Sequence, residues 1–394
     1  MRRPRSVLAV AAAALLLAGC SLKHGSSSTA QTPAPSAAPS VTASPTPSAA
    51  AFVDPASVNA NELGEVPVFM FHQVKQDAKG DYDQTPEHFN AELLQLYNMN
   101  FRPITAANFV AGQVNVPAGM HPMVMTFDDG TTSQAQIGPD GNPVPTTALG
   151  MMEAFGQAHP DFHPTATFYV NENPFQDPKV LPWLVAHGYD VGVHTVTHAN
   201  LKQLDDANVQ KEVGGNYQAI QAALPGFKIT TMALPFGVWP VNKTLAYQGT
   251  YSGQSYSMSG VMLVGSNPSP SPYATSFKQY AIPRIRSGPG GAQLDAGYWL
   301  TYFQAHPGVL YVSDGDPSKV SFPAYESPKL AASYQSQANG YGSSTAPSTS
   351  SPTSSASPSA TPSQKATKSP SPSSTPSSTP AGTPSASPSP SIHS

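Results

Sequence analysis

The sequence predicts an α/β protein whose parallel sheet curls into a distorted barrel of seven or eight β/α units. Three observations carry that expectation. Apolar runs of about five residues alternate with longer segments of helical period between Val66 and Val312, the pattern of a parallel sheet with crossover helices. Several of those runs end abruptly in His, Asp or Pro, as strands do when their carboxyl ends deliver reactive groups. Between two Ser/Pro/Thr-rich segments lie roughly 270 residues, enough for one sizeable domain. An open doubly wound sheet is the alternative architecture.

Taken in order, Val66–Phe71 is an apolar strand whose first polar follower is His72. Pro86 opens a helix over Glu87–Asn98 in which Phe89, Leu93, Leu96 and Tyr97 share a face. Thr105 caps a short helix through Val110. Met123–Phe127 is a buried strand closed by Asp128-Asp129-Gly130, followed by a Gly/Pro-rich insertion over Thr131–Pro145 and a helix over Thr147–Ala158. Pro164 introduces the strand Thr165–Val170, and Pro178–His187 forms a helix stopped by Gly188. The strand Tyr189–His194 leads into His194-Thr195-Val196-Thr197-His198. A helix over Asp205–Leu224 and the strand Ile229–Leu234 precede the turn Pro235-Phe236-Gly237. Further strands are expected at Val261–Val264, Gln279–Ile285 and Val309–Val312, with a helix over Ala292–Ala305 before the last.

The flanks have a different character. The 43 prolines crowd residues 26–55 and the stretch after Ser343, where few large apolar residues are available to offset ordering entropy. The expected organisation is a leader over 1–20, a disordered linker over 21–60, the folded domain over 61–335 and a Ser/Thr/Pro-rich tail over 336–394. Arg2, Arg3 and Arg5 precede a short apolar run, as in a signal peptide. Leu17-Ala18-Gly19-Cys20 resembles the lipobox of bacterial lipoproteins. Cys20 is the sole cysteine, so an intrachain disulfide is excluded and a lipid anchor is the expectation. That implies an exported chain held at the outer face of the cell membrane, with the linker as spacer. The net charge of −4, spread sparsely and with no basic cluster, argues against nucleic acid.

Asp128-Asp129-Gly130 alone reads as a solvated turn. Placed at the end of a buried strand, its two carboxylates need water, a cation or a metal. His194 and His198 add two imidazoles at another strand end, without the glutamate of the helical zinc-protease motif. Two imidazoles and a carboxylate form a three-ligand set that leaves coordination positions open, as a catalytic ion requires. Single histidines are more often structural; the pair beside an Asp-Asp strand end points to a metal. The expected cofactor is one divalent ion, zinc first, with nickel, cobalt or iron as alternatives.

Thr126-Phe127-Asp128-Asp129-Gly130 together with His194-Thr195-Val196-Thr197-His198 resembles the polysaccharide deacetylases of carbohydrate esterase family 4. Pro164–Val170 also resembles that family's next strand. The resemblance implies metal-dependent removal of acetyl groups from an N-acetylated sugar polymer. It assigns Asp128 as general base and Asp129, His194 and His198 as metal ligands. Two departures stand out: Leu234 replaces the arginine usual before the Pro-aromatic-Gly turn, and Ser313 follows Val309–Val312 where a late histidine is usual. Phe69-Met70-Phe71-His72-Gln73-Val74 resembles the poly-N-acetylglucosamine deacetylase branch, in which a first-strand histidine is the general acid. Ile282-Pro283-Arg284-Ile285 resembles that branch's late Pro-Arg motif. Arg284 is accordingly expected to orient Asp128, with a plain salt bridge as the other reading and Arg286 as its competitor.

Pro235, Phe236, Gly237 and Trp239 are the candidate substrate contacts, and Tyr247, Tyr251 and Tyr256 stand between sugar stacking and packing. The expected activity is N-deacetylation of a cell-surface polysaccharide of poly-N-acetylglucosamine type by a monomer. Peptidoglycan or O-acetylated polymers are alternative substrates, and an inactive carbohydrate-binding surface lipoprotein is the alternative class.

Overall fold

The computed structural model describes residues 53–346. The expected leader, Cys20, nearly all of the linker and the tail beyond 346 lie outside the described residues. Folded elements run from a 3-10 turn at Pro55–Val58 to a strand at Ala338–Tyr341, somewhat past both ends of the expected 61–335. At the far end, Ala338–Tyr341 pairs in parallel with Val320–Pro323. The Tyr341 hydroxyl donates to the Ala60 carbonyl at 2.9 Å, so the two ends of the domain fasten each other.

Eight strands make one parallel sheet: β1 (Val68–Phe71), β2 (Phe101–Ile104), β3 (His121–Asp129), β4 (Thr167–Val170), β5 (Asp190–Val193), β6 (Thr231–Ala233), β7 (Gly260–Met262) and β8 (Ile285–Arg286). Their order is β7-β6-β5-β4-β3-β1-β8, with β2 beside the first half of β3. The ring is completed by the stretch around β8. Val261 N–H donates to the Gln279 carbonyl at 2.9 Å and Ile282 N–H to the Val261 carbonyl at 3.0 Å, whereas Ser287 N–H donates to Met70 at 3.0 Å. One segment thus bonds to β7 with its first half and to β1 with its second. The strand expected over Gln279–Ile285 is interrupted because Pro283 has no N–H to offer a ladder.

The run Val309–Val312 is not a barrel strand. Pro307–Val309 forms a 3-10 turn, after which Tyr311 N–H donates to Glu65 and Val312 N–H to Asn61. With the ring already closed at β8, this apolar run is buried against the segment before β1 instead. Ser313 accordingly meets Glu62 and donates its N–H to the Met120 carbonyl, directly before the amino end of β3.

Six helices follow the expected positions: α1 (Pro86–Asn98), α2 (Ala106–Val110), α3 (Ala148–Ala158), α4 (Val180–Ala186), α5 (Asp206–Ala223) and α6 (Ala296–Ala305). Thr85, Thr105, Thr147, Asp205 and Asp295 each accept a backbone N–H in the first turn, satisfying donors the helix itself cannot. Among the described residues, no helix is long and apolar enough to cross a membrane.

Period-two alternation divides the strands between two cores. Phe69, Phe71, Met123, Met125, Phe127 and Phe168 face the helices, while Val68, Val124 and Tyr169 belong to a second cluster with Ala233, Met262 and Ile282. Phe127 lies between Phe71 and Phe168, with ring centroids 5.1 and 5.0 Å away. The same alternation turns Thr126 and Asp128 towards the side of Tyr169 and leaves Asp129 at the rim.

Phe127→Ala should cost about 3–5 kcal/mol by emptying that stack; an unchanged urea midpoint would contradict the packing. A second expectation concerns pH. Burial raises the Glu92 carboxyl from 4.5 to about 7, partly offset by hydrogen bonds from Ser287 and Gln84; Glu62, buried beside Asp314, rises to about 8. Such groups bind their protons more tightly folded than unfolded, so their stabilisation is full at low pH and is lost as pH climbs through the folded values. In chelator, the melting temperature should fall between about pH 5 and 8, and Glu92→Gln should lessen the fall. An equal fall in both proteins would remove Glu92 from the account.

Candidate metal and catalytic centre

Asp128 sits inside the barrel at the carboxyl end of β3 and is buried. Arg284, 0% exposed, donates from Nη1 to its Oδ1 at 2.6 Å and from Nη2 to its Oδ2 at 2.7 Å. The guanidinium is fixed in turn: Nε donates to the Leu263 carbonyl at 2.8 Å and Nη1 also to Thr126 Oγ1 at 3.1 Å. Burial alone would raise the Asp128 carboxyl, but Arg284, His194 and His72 together outweigh it and hold the group well below the usual carboxylate range. Asp128 is therefore ionised throughout the working pH range. Arg286 has other partners, lying 5.1 Å over the Tyr82 ring and 3.4 Å from Asp81. Arg284 supplies at Asp128 the positive charge that Leu234 lacks.

One residue on, Asp129 has φ 80°, which swings its carboxylate away from Asp128 and over the rim. Gly130 continues the left-handed turn at φ 64°, where a Cβ would lie 2.9 Å from Pro174, so only glycine closes this strand without strain. Asp129 Oδ1 is 3.5 Å from His194 Nε2 and 3.7 Å from His198 Nε2. One ligand atom from each of the three residues lies within 4.8 Å of the others.

The histidine loop is held by residues that sequence reasoning overlooked. His194 Nδ1 donates to the Ala233 carbonyl at 2.8 Å, which fixes the tautomer and leaves Nε2 with its lone pair free. That Nε2 is buried and has no hydrogen-bond partner. Thr195 and His198 have φ 69° and 56°, a conformation costly for a β-branched residue such as Thr195. Asn171 Nδ2 donates to the carbonyls of His194 and Thr195 at 2.6 and 3.1 Å. Asn216 Oδ1 accepts from His194 N–H at 3.1 Å, and Glu212 accepts from both the N–H and Oγ1 of Thr197 at 2.9 and 3.0 Å. Such residues announce themselves in sequence only as polar groups on otherwise apolar faces: Glu212 and Asn216 are buried on α5.

His72 stands at the end of β1 with its ring 4.8 Å from that of Tyr82. Burial lowers its pKa, with Asp128 and Asp129 opposing. Pro235–Gly237 makes a 3-10 turn after β6 in which Phe236 takes φ 58°. Phe236 is 55% exposed, and its ring meets that of His198 edge-on at 4.5 Å. Trp239 lines a hollow of about 500 Å³ with Lys243, Tyr247, Tyr280 and others, none of them a residue of the Asp-His cluster. Tyr247 stacks on Tyr280 at 4.0 Å, and Tyr256 is buried with its hydroxyl donating to Leu245.

The residues fit a metal ion. A carboxylate and two imidazoles converge, and the buried Nε2 of His194, its tautomer already set, is directed at the shared space without a partner. Asp128 borders that space with a carboxylate engaged by Arg284, and 3.9 Å separates its Oδ2 from His194 Nε2.

Comparison with known proteins is consistent with this centre. Residues 115–251 match the family model for polysaccharide deacetylase, a span that includes Asp128, Asp129, His194, His198 and the Pro235–Gly237 turn but neither His72 nor Arg284. A chitooligosaccharide deacetylase of Bradyrhizobium sp. (strain ANU 289) is 27% identical over 139 residues, 35% of this chain and 55% of that protein. One from Sinorhizobium fredii (strain NBRC 101917 / NGR234) is 29% identical over 122 residues, 31% of this chain and 49% of that protein. The chain thus spans about half the length of the curated relatives it matches. Among solved structures, a polysaccharide deacetylase from Bacillus cereus aligns with a TM-score of 0.44 and 18% identity, covering 61% of this chain and 68% of that one. By its motifs and the matched span, residues 115–251 of the chain resemble a polysaccharide deacetylase domain.

Proposed function

We propose that this protein is a metal-dependent hydrolase that removes acetyl groups from the amino sugars of a cell-surface polysaccharide of poly-N-acetylglucosamine type. The observation that carries the proposal is the juxtaposition of Asp129, His194 and His198 with a second carboxylate, Asp128, that Arg284 keeps ionised. The first-strand position of His72 and the late-strand position of Arg284 support the poly-N-acetylglucosamine-type substrate over peptidoglycan or an O-acetylated polymer. The chain is further proposed to act as a monomer, exported and anchored through a lipid on Cys20.

In this mechanism Asp129, His194 and His198 hold a divalent ion, zinc by the donor set of two imidazoles and a carboxylate. When bound, such an ion polarises an amide carbonyl and acidifies water. Asp128 receives the proton of the attacking water as general base. The Arg284 pairing that keeps Asp128 ionised also limits its basicity, so the water it deprotonates must already be acidified. His72 gives the departing amine its proton. Phe236, exposed beside His198, offers an apolar wall against which a sugar ring or an acetyl methyl packs.

Metal analysis of the purified protein should find about one divalent ion, lost in His194→Ala and in His198→Ala; an ion-free, active wild type would sink the reading. Ion binding should strengthen as pH rises through the imidazole range. Although burial opposes it, Asp128 and Asp129 raise the His194 pKa in the free site, so a proton competes for the ligand lone pair at lower pH.

Asp128→Asn should lower acetate release by about 10²–10⁴-fold while the ion is retained. The same change should lower the melting temperature, because Arg284 keeps a buried charge without its partner. Loss of ion and activity together would mean that the two aspartates exchange roles. Acetate release from N-acetylglucosamine oligosaccharides, peptidoglycan and acetylated xylan, with and without chelator, tests the substrate class. Turnover of peptidoglycan or xylan alone would overturn the proposed substrate.

A further inference from the structure

We propose that Gln134 is a positioning residue that holds His72 at its working distance from Asp128. Gln134 lies in the loop after Gly130, a stretch whose Gly/Pro-rich composition marks it only as an insertion, yet it is 0% exposed. Its Nε2 donates to the His72 carbonyl at 3.0 Å and also to the Asp128 carbonyl. Its Oε1 accepts from Thr131 N–H at 3.2 Å. The backbone is pinned as well, with Gln134 N–H donating to Thr131 at 3.0 Å and Leu149 N–H donating to Gln134 at 2.8 Å.

The register of the sheet explains why this amide matters. The pairing of β1 with β3 ends at Phe71↔Phe127, one residue short of His72 and Asp128. Both of the next residues present carbonyl oxygens to the same donor, and two acceptors cannot bond to each other. Gln134 supplies the missing donors and spans the two strand ends like an added rung. Without it, two inward carbonyls lose their partner, at a cost of the order of an unsatisfied buried group. The strands are then free to splay where each carries a catalytic side chain. Arg284 fixes the Asp128 carboxylate independently, whereas among the described residues no hydrogen bond to the His72 ring appears. The displacement therefore falls on His72. An error of about 1 Å in such a group is enough to cost around 10²-fold in rate.

The inference rests on the reading of His72 as the proton donor, and the test separates the two. Zinc-loaded full-length protein is assayed on an N-acetylglucosamine oligosaccharide, whose amine leaves only when protonated, and on 4-nitrophenyl acetate, whose phenolate leaves without a proton. His72→Ala should lower the amide-to-ester ratio of kcat by about 100-fold. Gln134→Met, which matches the side chain in size and removes the amide, should lower that ratio by about 10-fold or more with KM little changed and zinc content intact. The double variant should be no worse than His72→Ala alone, since Gln134 acts through His72. If Gln134→Met does not fold, Gln134→Asn keeps the amide but shortens its reach, and the same split is expected. An unchanged ratio in the Gln134 variants, an equal fall on both substrates, or multiplicative losses in the double variant would overturn the positioning role while leaving His72 as the acid. Full amide turnover by His72→Ala would overturn the assignment of His72 itself.

Discussion

The buried pair of Asp128 and Arg284 is the constraint on which the centre depends. Neither group can exist alone in the barrel: an isolated charge there costs several kcal/mol, and removing one partner strands the other. Because Arg284 belongs to the segment that bonds to both β7 and β1, its guanidinium reaches Asp128 on β3 and the Leu263 carbonyl just past β7. Closure of the ring and ionisation of Asp128 are therefore linked through Arg284. A barrel that failed to close would leave Asp128 without its cation, and protonation of Asp128 would leave Arg284 without its anion.

Around that pair the structure assigns rigid and strained parts to different tasks. The strands carry Asp128 and Arg284, where alternation and burial leave little freedom. The metal-type donors stand at or past strand ends, Asp129 as the last residue of β3 and His194 and His198 after β5, two of the three at positive φ, where the backbone would not remain without external support. That support comes from side-chain amides and carboxylates: Asn171, Asn216 and Glu212 on the histidine loop, Gln134 between β1 and β3. Each satisfies backbone groups that the sheet abandons at its carboxyl edge. The site is thus pre-set by hydrogen bonds to main chain, and the imidazoles are aimed before any ion is considered.

Much of the centre is legible in the sequence, for a physical reason that differs from residue to residue. Asp-Asp-Gly after Met123–Phe127 is conspicuous because charge at the end of a buried strand needs a partner. His194 and His198 are conspicuous because two imidazoles at another strand end supply one. Arg284 was legible only as one of two arginines, and the choice over Arg286 turned on which of them faces inward. Val309–Val312 misled because an apolar β-branched run looks the same whether it lines a barrel or is buried against another segment. Gln134 and Asn171 carried no signal, since an amide in a polar loop has no pattern until the carbonyls it serves are known.

The sequence by itself determined the alternation of strands and helices, the polar residues that end the strands, and the carboxylate and imidazole side chains available for the candidate centre. These are local properties, written in periodicity, caps and the cost of burying charge. Tertiary structure alone decided that a segment interrupted by Pro283 closes the ring, that Arg284 rather than Arg286 meets Asp128, and that Ser313 lies by Glu62 and Met120 at the amino end of β3. Those outcomes depend on which distant residues share the barrel interior, and contacts between strands remote in the chain leave no periodic trace along it.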